Sequence, residues 1–168
     1  MDGHMPTEPV TTEALREVHT QFVTGVTVVS TMESGQPRGL AVNAFMSLSL
    51  EPPLIMVAVQ RTSGTYPSLF ASDRISVNIL AGDQADVVAR FAAKGTDKFA
   101  GLAWQPGPFG SPLLDGAAAQ VEAVIEQRLQ AMTHTVFIGR VLLARSFPVH
   151  PLVYIGGRLA SAADLHPG

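Results

Sequence analysis

The sequence predicts a mainly β fold of the α+β class, a closed or partly closed antiparallel barrel with short peripheral helices. At least six β-rich segments alternate irregularly with short helical ones, without the regular strand–helix repeat of a doubly wound sheet. The Gly-x-Gly-x-x-Gly fingerprint and the phosphate loop ending in Gly-Lys-Ser/Thr are both absent from the sequence. A nicotinamide nucleotide bound in Rossmann fashion is therefore not expected.

The composition excludes several function classes. Hydrophobic residues make up 46% of the chain and charged residues only 15%, so an apolar subunit interface, and hence a homodimer, is expected. A net charge of −3 argues against nucleic acid as a partner. No apolar run approaches the roughly 18–20 residues of a membrane helix, so no membrane association is expected.

Cysteine and histidine usage bounds the chemistry further. The chain has no cysteine, which excludes disulfides and thiolate metal sites and agrees with a cytoplasmic location. Its five histidines are scattered without ligand spacing, so no metal site is expected. No signal peptide is recognised at the start of the sequence.

A chain of 168 residues suits one domain. We expect a flexible N-terminus over residues 1–10, whose first five residues resemble an expression scar. A single domain follows over residues 11–160, and residues 161–168 form a C-terminal tail.

The first third of the domain predicts a helix and a hairpin. A helix capped by Thr11 runs to Phe22. The β-branched segment Gly25–Thr31 predicts a strand, and Glu33–Pro37 predicts a hairpin turn. The next strand, predicted over Arg38–Leu50, ends before a double proline.

The middle of the chain continues with strands and two helices. Leu54–Val59 predicts a buried strand, and a loop of hydroxyls and glycine then leads into a helix with Pro67 in its first turn. Arg74–Leu80 predicts a strand by its alternation, and Asp83–Ala93 predicts a helix capped by its aspartate. Ala93–Trp104 is expected to form a loop or a short helix.

The last third contains one ambiguous segment. Gln105–Pro112 is rich in proline and glycine and predicts a surface connection. Ala117–Met132 is compatible with either helix or strand on local evidence. Thr133–Ser146 and Pro151–Leu159 each predict a strand, the second with Gly156-Gly157 near its end.

The segment Gly39–Pro53 has the features of a binding floor. It begins as an apolar strand and then places Asn43, Ser47 and Ser49 at regular intervals. Small polar side chains and accessible backbone N–H groups at a strand end suit a flat, polar heterocycle such as a flavin. Alternatively, these side chains only cap the ends of strands.

Taken together, several motifs resemble the flavin reductase-like family, the small reductase components of two-component flavin monooxygenases. The motifs are Gly25–Thr31, Gly39–Leu54, Ser76–Leu80, Phe91-Ala92, Lys98-Phe99 and His134–Val141. The resemblance extends from about Phe22 to Leu159. It implies an FMN-binding split β-barrel, a homodimer with FMN or FAD near its interface, and a strand over Ala117–Met132.

The resemblance also implies roles for individual residues. The flavin ring and ribityl chain are expected beside five residues near the start of the binding floor: Val42, Asn43, Ala44, Ser47 and Ser49. The family often has threonine where this chain has Ala41.

The phosphate is expected at the loop Ser63-Gly64-Thr65, where N–H groups at a helix start attract an anion. Arg61, Lys94 and Lys98 are candidate phosphate partners, although exposed lysines are often only solvated. Phe91 is predicted either to pack on the ligand or to fill a helix core.

His134 is the candidate catalytic residue on the nicotinamide side. In the family a Gly-Asp pair usually precedes this histidine, and here Met132-Thr133 stands in its place. Arg158 is predicted to meet the nicotinamide cofactor or the flavin tail, or else to be a surface residue.

The resulting prediction is an NAD(P)H:flavin oxidoreductase. NADH or NADPH would reduce FMN or FAD by hydride transfer, and the reduced flavin would serve a partner monooxygenase. Three alternatives remain open. The first is a non-enzymatic flavin-binding or electron-transfer protein of the same fold, the second is a split-barrel oxidoreductase that acts directly on a small substrate, and the third is a structural or interaction module whose site has decayed.

Overall fold

A computed structural model describes residues 9–95 and 97–165. The predicted mainly β fold with short peripheral helices is confirmed in this part of the chain. The helices are α1 (Thr12–Thr20), α2 (Tyr66–Ala71) and α3 (Ala85–Ala92), with a final 3₁₀ turn at Ala162–Leu165. The strands are β1 (Thr24–Gly25), β2 (Thr27–Glu33), β3 (Gln36–Val42), β4 (Phe45–Leu50), β5 (Pro53–Gln60), β6 (Arg74–Ile79), β7 (Trp104–Pro106), β8 (Pro112–Leu114), β9 (Ala119–Ala131), β10 (His134–Ser146), β11 (Leu152–Ile155) and β12 (Arg158–Ser161).

Seven strands form one antiparallel sheet in the order β3-β2-β6-β9-β10-β5-β4. The strands β3 and β4 lie at opposite edges of this sheet, yet only Asn43 and Ala44 connect them. Three steps between consecutive Cα atoms span at most about 11 Å. The sheet must therefore curl until its edges meet, which gives a barrel that is split between β3 and β4.

The prediction of a single strand over Arg38–Leu50 was wrong. In the middle of this segment the chain passes from one edge of the sheet to the opposite edge. The carbonyl of Asn43 accepts a hydrogen bond from the Phe45 amide at 2.8 Å, which closes a tight turn. The residues before this turn pair with β2, and those after it pair with β5.

Two apolar layers stabilise the barrel. The residues inside it include Val29, Val57, Ile75, Val77, Ala123 and Phe137. A second cluster, packed under α3, includes Val28, Leu80, Val87, Phe91, Phe99 and Leu114. Because neighbouring residues of β2 face different layers, this strand is buried on both faces.

A row of buried polar side chains crosses the outer face of the sheet. Ser30, Ser76 and Glu122 are direct cross-strand neighbours on β2, β6 and β9. The two serine hydroxyls lie 2.8 Å apart. The Glu122 carboxylate accepts hydrogen bonds from the backbone amides of Ser111 at 2.9 Å and Phe109 at 3.2 Å.

Asn78 extends this polar row and anchors the hairpin of β7 and β8. Its Oδ1 atom accepts a hydrogen bond from the Leu114 amide at 2.9 Å. Its Nδ2 atom donates to the Pro112 carbonyl at 3.3 Å, and the Ser30 hydroxyl donates to the same carbonyl. The predicted surface connection Gln105–Pro112 is thus mostly exposed in its middle but anchored where β8 begins.

Other local predictions are confirmed or wrong for identifiable reasons. The Thr11 hydroxyl accepts a hydrogen bond from the Ala14 amide at 3.1 Å, as expected of an N-cap. The ambiguous segment is the long strand β9, as the family resemblance implied. The predicted Asp83 cap was wrong, because α3 begins after Gln84, which makes no side-chain cap hydrogen bond.

The last predicted strand, Pro151–Leu159, was also wrong as a single element. It is the hairpin of β11 and β12, whose turn holds Gly156 and Gly157 at φ values of 56° and 80°. Glycine adopts such backbone angles at no steric cost.

The division into termini and domain stays a prediction. Of the predicted flexible terminus, residues 1–8 lie outside the described part of the chain, as do residues 166–168 of the predicted tail. No helix of the described residues is long and apolar enough to cross a membrane.

Replacing Asn78 with alanine should destabilise the protein by about 2–4 kcal/mol, because the substitution leaves a buried amide and a buried carbonyl with fewer partners. Urea unfolding measures the free energy of unfolding. The matched control is Gln127→Ala at an exposed position of β9, which should change it by less than about 0.5 kcal/mol. Equal effects of the two substitutions would contradict a structural role for the Asn78 network.

Candidate functional site

A cleft of about 780 Å³ lies where β3, the loop after β5 and the end of α3 meet. Its size falls in the upper part of the roughly 300–1,000 Å³ range of small-molecule sites. Its lining includes Glu33, Arg38, Gly39, Leu40, Ala41, Gln60, Thr62, Ser63, Gly64, Thr65, Ser68, Phe91, Lys94, Lys98 and Phe99. Six of the residues predicted from the sequence are in this lining: Ser63, Gly64, Thr65, Phe91, Lys94 and Lys98.

The loop Ser63–Thr65 is fixed by its own hydroxyl groups. The Thr65 hydroxyl donates to the Gly39 carbonyl at 2.8 Å, and the Thr65 amide donates to the Ser63 hydroxyl at 3.3 Å. A Cβ atom built on Gly64 would meet nothing within 4 Å. The hydroxyl of Thr65 therefore holds the loop against β3, while the space above Gly64 is open to a ligand.

Cationic side chains gather around the cleft. Among the described residues, Arg38, Lys94 and Lys98 line it together with one carboxylate, Glu33, in a chain whose net charge is −3. The Lys98 ammonium donates to the Phe91 carbonyl at 2.8 Å, and burial lowers its pKa. This local excess of positive charge favours an anionic ligand such as a phosphate.

The sequence did not predict the contacts of Glu33 and Arg38. The Glu33 carboxylate accepts hydrogen bonds from the Ser68 hydroxyl at 2.8 Å and from Arg38 Nε at 3.0 Å. These two bonds, with that from Ser68 the stronger influence, hold the pKa of Glu33 below its ordinary value of 4.5. The available signal was the position of Arg38 directly before Gly39, at the start of the predicted floor.

Phe91 forms part of the apolar wall of the cleft. Its side chain is only 1% exposed and contacts Phe99 edge to face, with ring centroids 4.9 Å apart. A Cβ atom at Gly39 would lie 3.0 Å from the Phe91 ring, so glycine lets β3 and α3 pack closely. Most of the Phe91 ring therefore fills the core.

The predicted ring-binding residues lie outside the lining of this cleft. Val42 is buried, and its carbonyl accepts a hydrogen bond from the Thr27 hydroxyl at 2.7 Å. Asn43, Ala44 and Ser47 are exposed and Ser49 is half-buried, all on β4 or on the connection before it. The structure thus brings these polar groups to an edge strand, and their role stays a prediction.

His134 lies beside the cleft. It is exposed at the start of β10, where it pairs with Gln60, a lining residue. Arg61 follows Gln60 and is exposed, but it is not in the lining. Arg158 is exposed on β12, where it pairs with Ile155, and it does not line the cleft either.

The residues of the cleft fit a phosphorylated flavin. Three cations and an open glycine loop suit the phosphate, and an apolar wall suits a planar ring. Within the described residues, no group of three or more His, Cys, Asp or Glu side chains could hold a metal ion.

Comparison with known proteins identifies the family. The model of the family described as "Flavin reductase like domain" matches residues 19–163. The reductase subunit HsaB of a flavin-dependent monooxygenase from Rhodococcus jostii is 37% identical over 158 residues, which cover 94% of this chain and 81% of that protein.

Two solved structures resemble the fold closely. Nitrilotriacetate monooxygenase component B from Mycobacterium thermoresistibile has a TM-score of 0.87 at 34% identity, over 93% of this chain and 89% of that one. The NADH:FAD oxidoreductase SgcE6 of Streptomyces globisporus, in complex with NAD and FAD fragments, has a TM-score of 0.84 at 34% identity, over 90% of this chain and 94% of that one.

The chain belongs to the flavin reductase-like domain family. The predicted split-barrel fold and flavin reductase function are confirmed, and flavin and nicotinamide nucleotide are the cofactors of this class. The protein is therefore an oxidoreductase.

Replacing Glu33 with glutamine should remove a pH-dependent contribution to stability. Because folding depresses the pKa of Glu33, its carboxylate stabilises the fold fully above the ordinary value of 4.5, and this stabilisation is lost as the pH falls through the folded-state pKa. The wild type should exceed the variant in free energy of unfolding at neutral pH, and the difference should vanish in acid. Denaturant unfolding across pH measures it.

The matched control is Glu51→Gln, at an exposed residue in the turn between β4 and β5. A wild-type advantage over Glu33→Gln that is the same at neutral and acidic pH would contradict the assignment.

Proposed function

We propose that this chain is the reductase component of a two-component flavin monooxygenase, an NAD(P)H:flavin oxidoreductase of class EC 1.5.1. It acts as a cytoplasmic homodimer and passes reduced flavin to a partner monooxygenase. The observation that carries the proposal is the cationic cleft beside the open Gly64 loop in a flavin reductase-like fold.

The chain's own residues bind and orient the reactants. Bound flavin supplies the acceptor for a hydride from the nicotinamide. Lys94 and Lys98 neutralise phosphate charge beside the ion pair of Arg38 and Glu33, and the space over Gly64 admits the phosphate close to the backbone. The apolar part of the lining excludes water from the ligand, which leaves orientation as the protein's main contribution.

Among the possible reactants, we favour FAD and NADH over FMN and NADPH. The similar protein from Streptomyces globisporus is named an NADH:FAD oxidoreductase. Three cations also suit the two phosphates of a flavin dinucleotide better than the single phosphate of FMN, because each phosphate can then meet an opposite charge.

The monooxygenase partner is proposed from the relatives. The similar protein from Rhodococcus jostii is the reductase subunit of a flavin-dependent monooxygenase. A reductase that serves a separate oxygenase must release its flavin, which an open cleft at the end of the barrel allows.

The proposed dimer is supported by the apolar surface of β4. This edge strand exposes Met46 at 45%, Leu48 at 41% and Leu50 at 88%. Apolar side chains grouped along an open edge strand favour burial against another protein surface. Because Asn43 and Ser47 belong to the same edge, a second subunit docked there would lie beside the predicted ring-binding groups.

The reductase activity is tested by steady-state oxidation of NADH and NADPH with FAD, FMN and riboflavin as acceptors. Oxidation should require added flavin. The value of kcat/KM should be higher with FAD than with riboflavin, because the cations of the cleft attract phosphate, and higher with NADH than with NADPH, as for the similar NADH:FAD oxidoreductase. Equal kcat/KM for FAD and riboflavin would contradict the role of the cations. If neither nicotinamide is oxidised with any flavin, the proposed function fails.

Substituting Leu50 with glutamate should convert the dimer to a monomer, because the charge would be buried without a partner in the interface. Sedimentation equilibrium gives the mass of each form. The matched control is Val149→Glu, an exposed apolar residue outside β4 that should leave the dimer intact. A monomeric wild type, or a variant of unchanged dimeric mass, would refute this interface.

A further inference from the structure

The hairpin turn that carries His134 is held in an unusual backbone conformation. Met132 and Thr133 form the two-residue connection between β9 and β10, across which Ala131 pairs with His134. Met132 has a φ of 50°, in the left-handed region that side chains with a Cβ atom rarely adopt. A residue with a side chain is strained at this φ, so contacts with the surrounding structure help to hold the turn.

Arg61 supplies those contacts. Its backbone amide donates to the Thr133 carbonyl at 2.9 Å, and its Nη1 atom donates to the Met132 carbonyl at 3.3 Å. Both carbonyls of the turn are thus bound by one residue. The next residue, Thr62, lines the cleft and leads into the loop Ser63–Thr65, which we call the ligand loop. Arg61 therefore joins the ligand loop to the turn.

Thr133 of this turn also contacts the imidazole ring of His134. The Thr133 hydroxyl lies 2.9 Å from Nδ1 of His134. If this hydroxyl donates, the proton of the neutral ring resides on Nε2, which can then donate to a carbonyl oxygen such as that of a carboxamide. Within residues 9–95 and 97–165, Nε2 of His134 makes no hydrogen bond.

We propose that Arg61 is a positioning residue for His134, rather than the phosphate partner that the sequence suggested. Arg61 holds the Met132–Thr133 turn against the ligand loop, and the Thr133 hydroxyl sets the orientation and tautomer of the imidazole. This inference rests on the proposed function insofar as His134 meets the nicotinamide. It extends that function by assigning the orientation of the His134 ring to Thr133 and Arg61.

Kinetics of Arg61→Ala distinguish the two roles of the arginine. A positioning role predicts a KM for NADH that rises about two- to tenfold, the effect of losing an exposed hydrogen bond, with the ratio of KM values for FMN and riboflavin unchanged. Arg61→Lys, which keeps one donor, should restore part of the loss. The matched control is Lys94→Ala, a lining residue that should raise the KM for FMN and leave that for riboflavin unchanged.

A rise in the KM for FMN without one for riboflavin in Arg61→Ala would overturn the proposal, because it would make the arginine a phosphate ligand. An unchanged KM for NADH would overturn it as well.

A spectroscopic measurement tests the contacts without catalysis. Long-range ¹H–¹⁵N spectra of the ligand-free protein report the tautomer of His134. Wild type and Thr133→Ser should show the Nε2-protonated form, whereas Thr133→Val and Arg61→Ala should show a tautomer mixture. Identical spectra for all four proteins would overturn the inference. If the wild type shows the expected spectrum yet oxidises neither NADH nor NADPH, the proposed function fails while the Arg61 and Thr133 contacts stand.

Discussion

The connection of only two residues between β3 and β4 is the constraint on which the rest of the structure depends. Asn43 and Ala44 must join strands that lie at opposite edges of a seven-stranded sheet, so the sheet has to close on itself. This closure creates the barrel interior. Because β3 and β4 do not pair with each other, β4 stays an edge strand, and it exposes apolar and small polar side chains at the surface.

The closed sheet is fastened at one end by the segment after β5. The Thr65 hydroxyl binds the Gly39 carbonyl, and the Ser68 hydroxyl binds the Glu33 carboxylate, so this segment is tied to β3 and to the end of β2. The cleft lies beside these ties, between the ligand loop and α3. The geometry of the cleft thus follows from barrel closure rather than from the loop sequence alone.

Much of the fold could be predicted from local patterns, as in β6, where Ile75 and Val77 alternate with polar residues. The strand β9 could not, because the burial of Glu122 depends on backbone amides of the loop before β8, which local alternation within β9 does not reveal. The passage from β3 to β4 at Asn43 was not predicted either, because no glycine or proline marks it in the sequence. The contacts of Arg61 were also hidden from local patterns, since its sequence position suggested the phosphate loop while its hydrogen-bond partners lie 71 and 72 residues later.

The tie between Thr65 and Gly39 has a consequence for ligand exchange. Since a protein hydroxyl already holds the loop, a ligand that enters the cleft has little chain to order and loses little of its binding free energy to that process. Departure of the ligand likewise leaves the loop in place. For the proposed exchange of flavin, this means that the loop does not have to fold again between one flavin and the next.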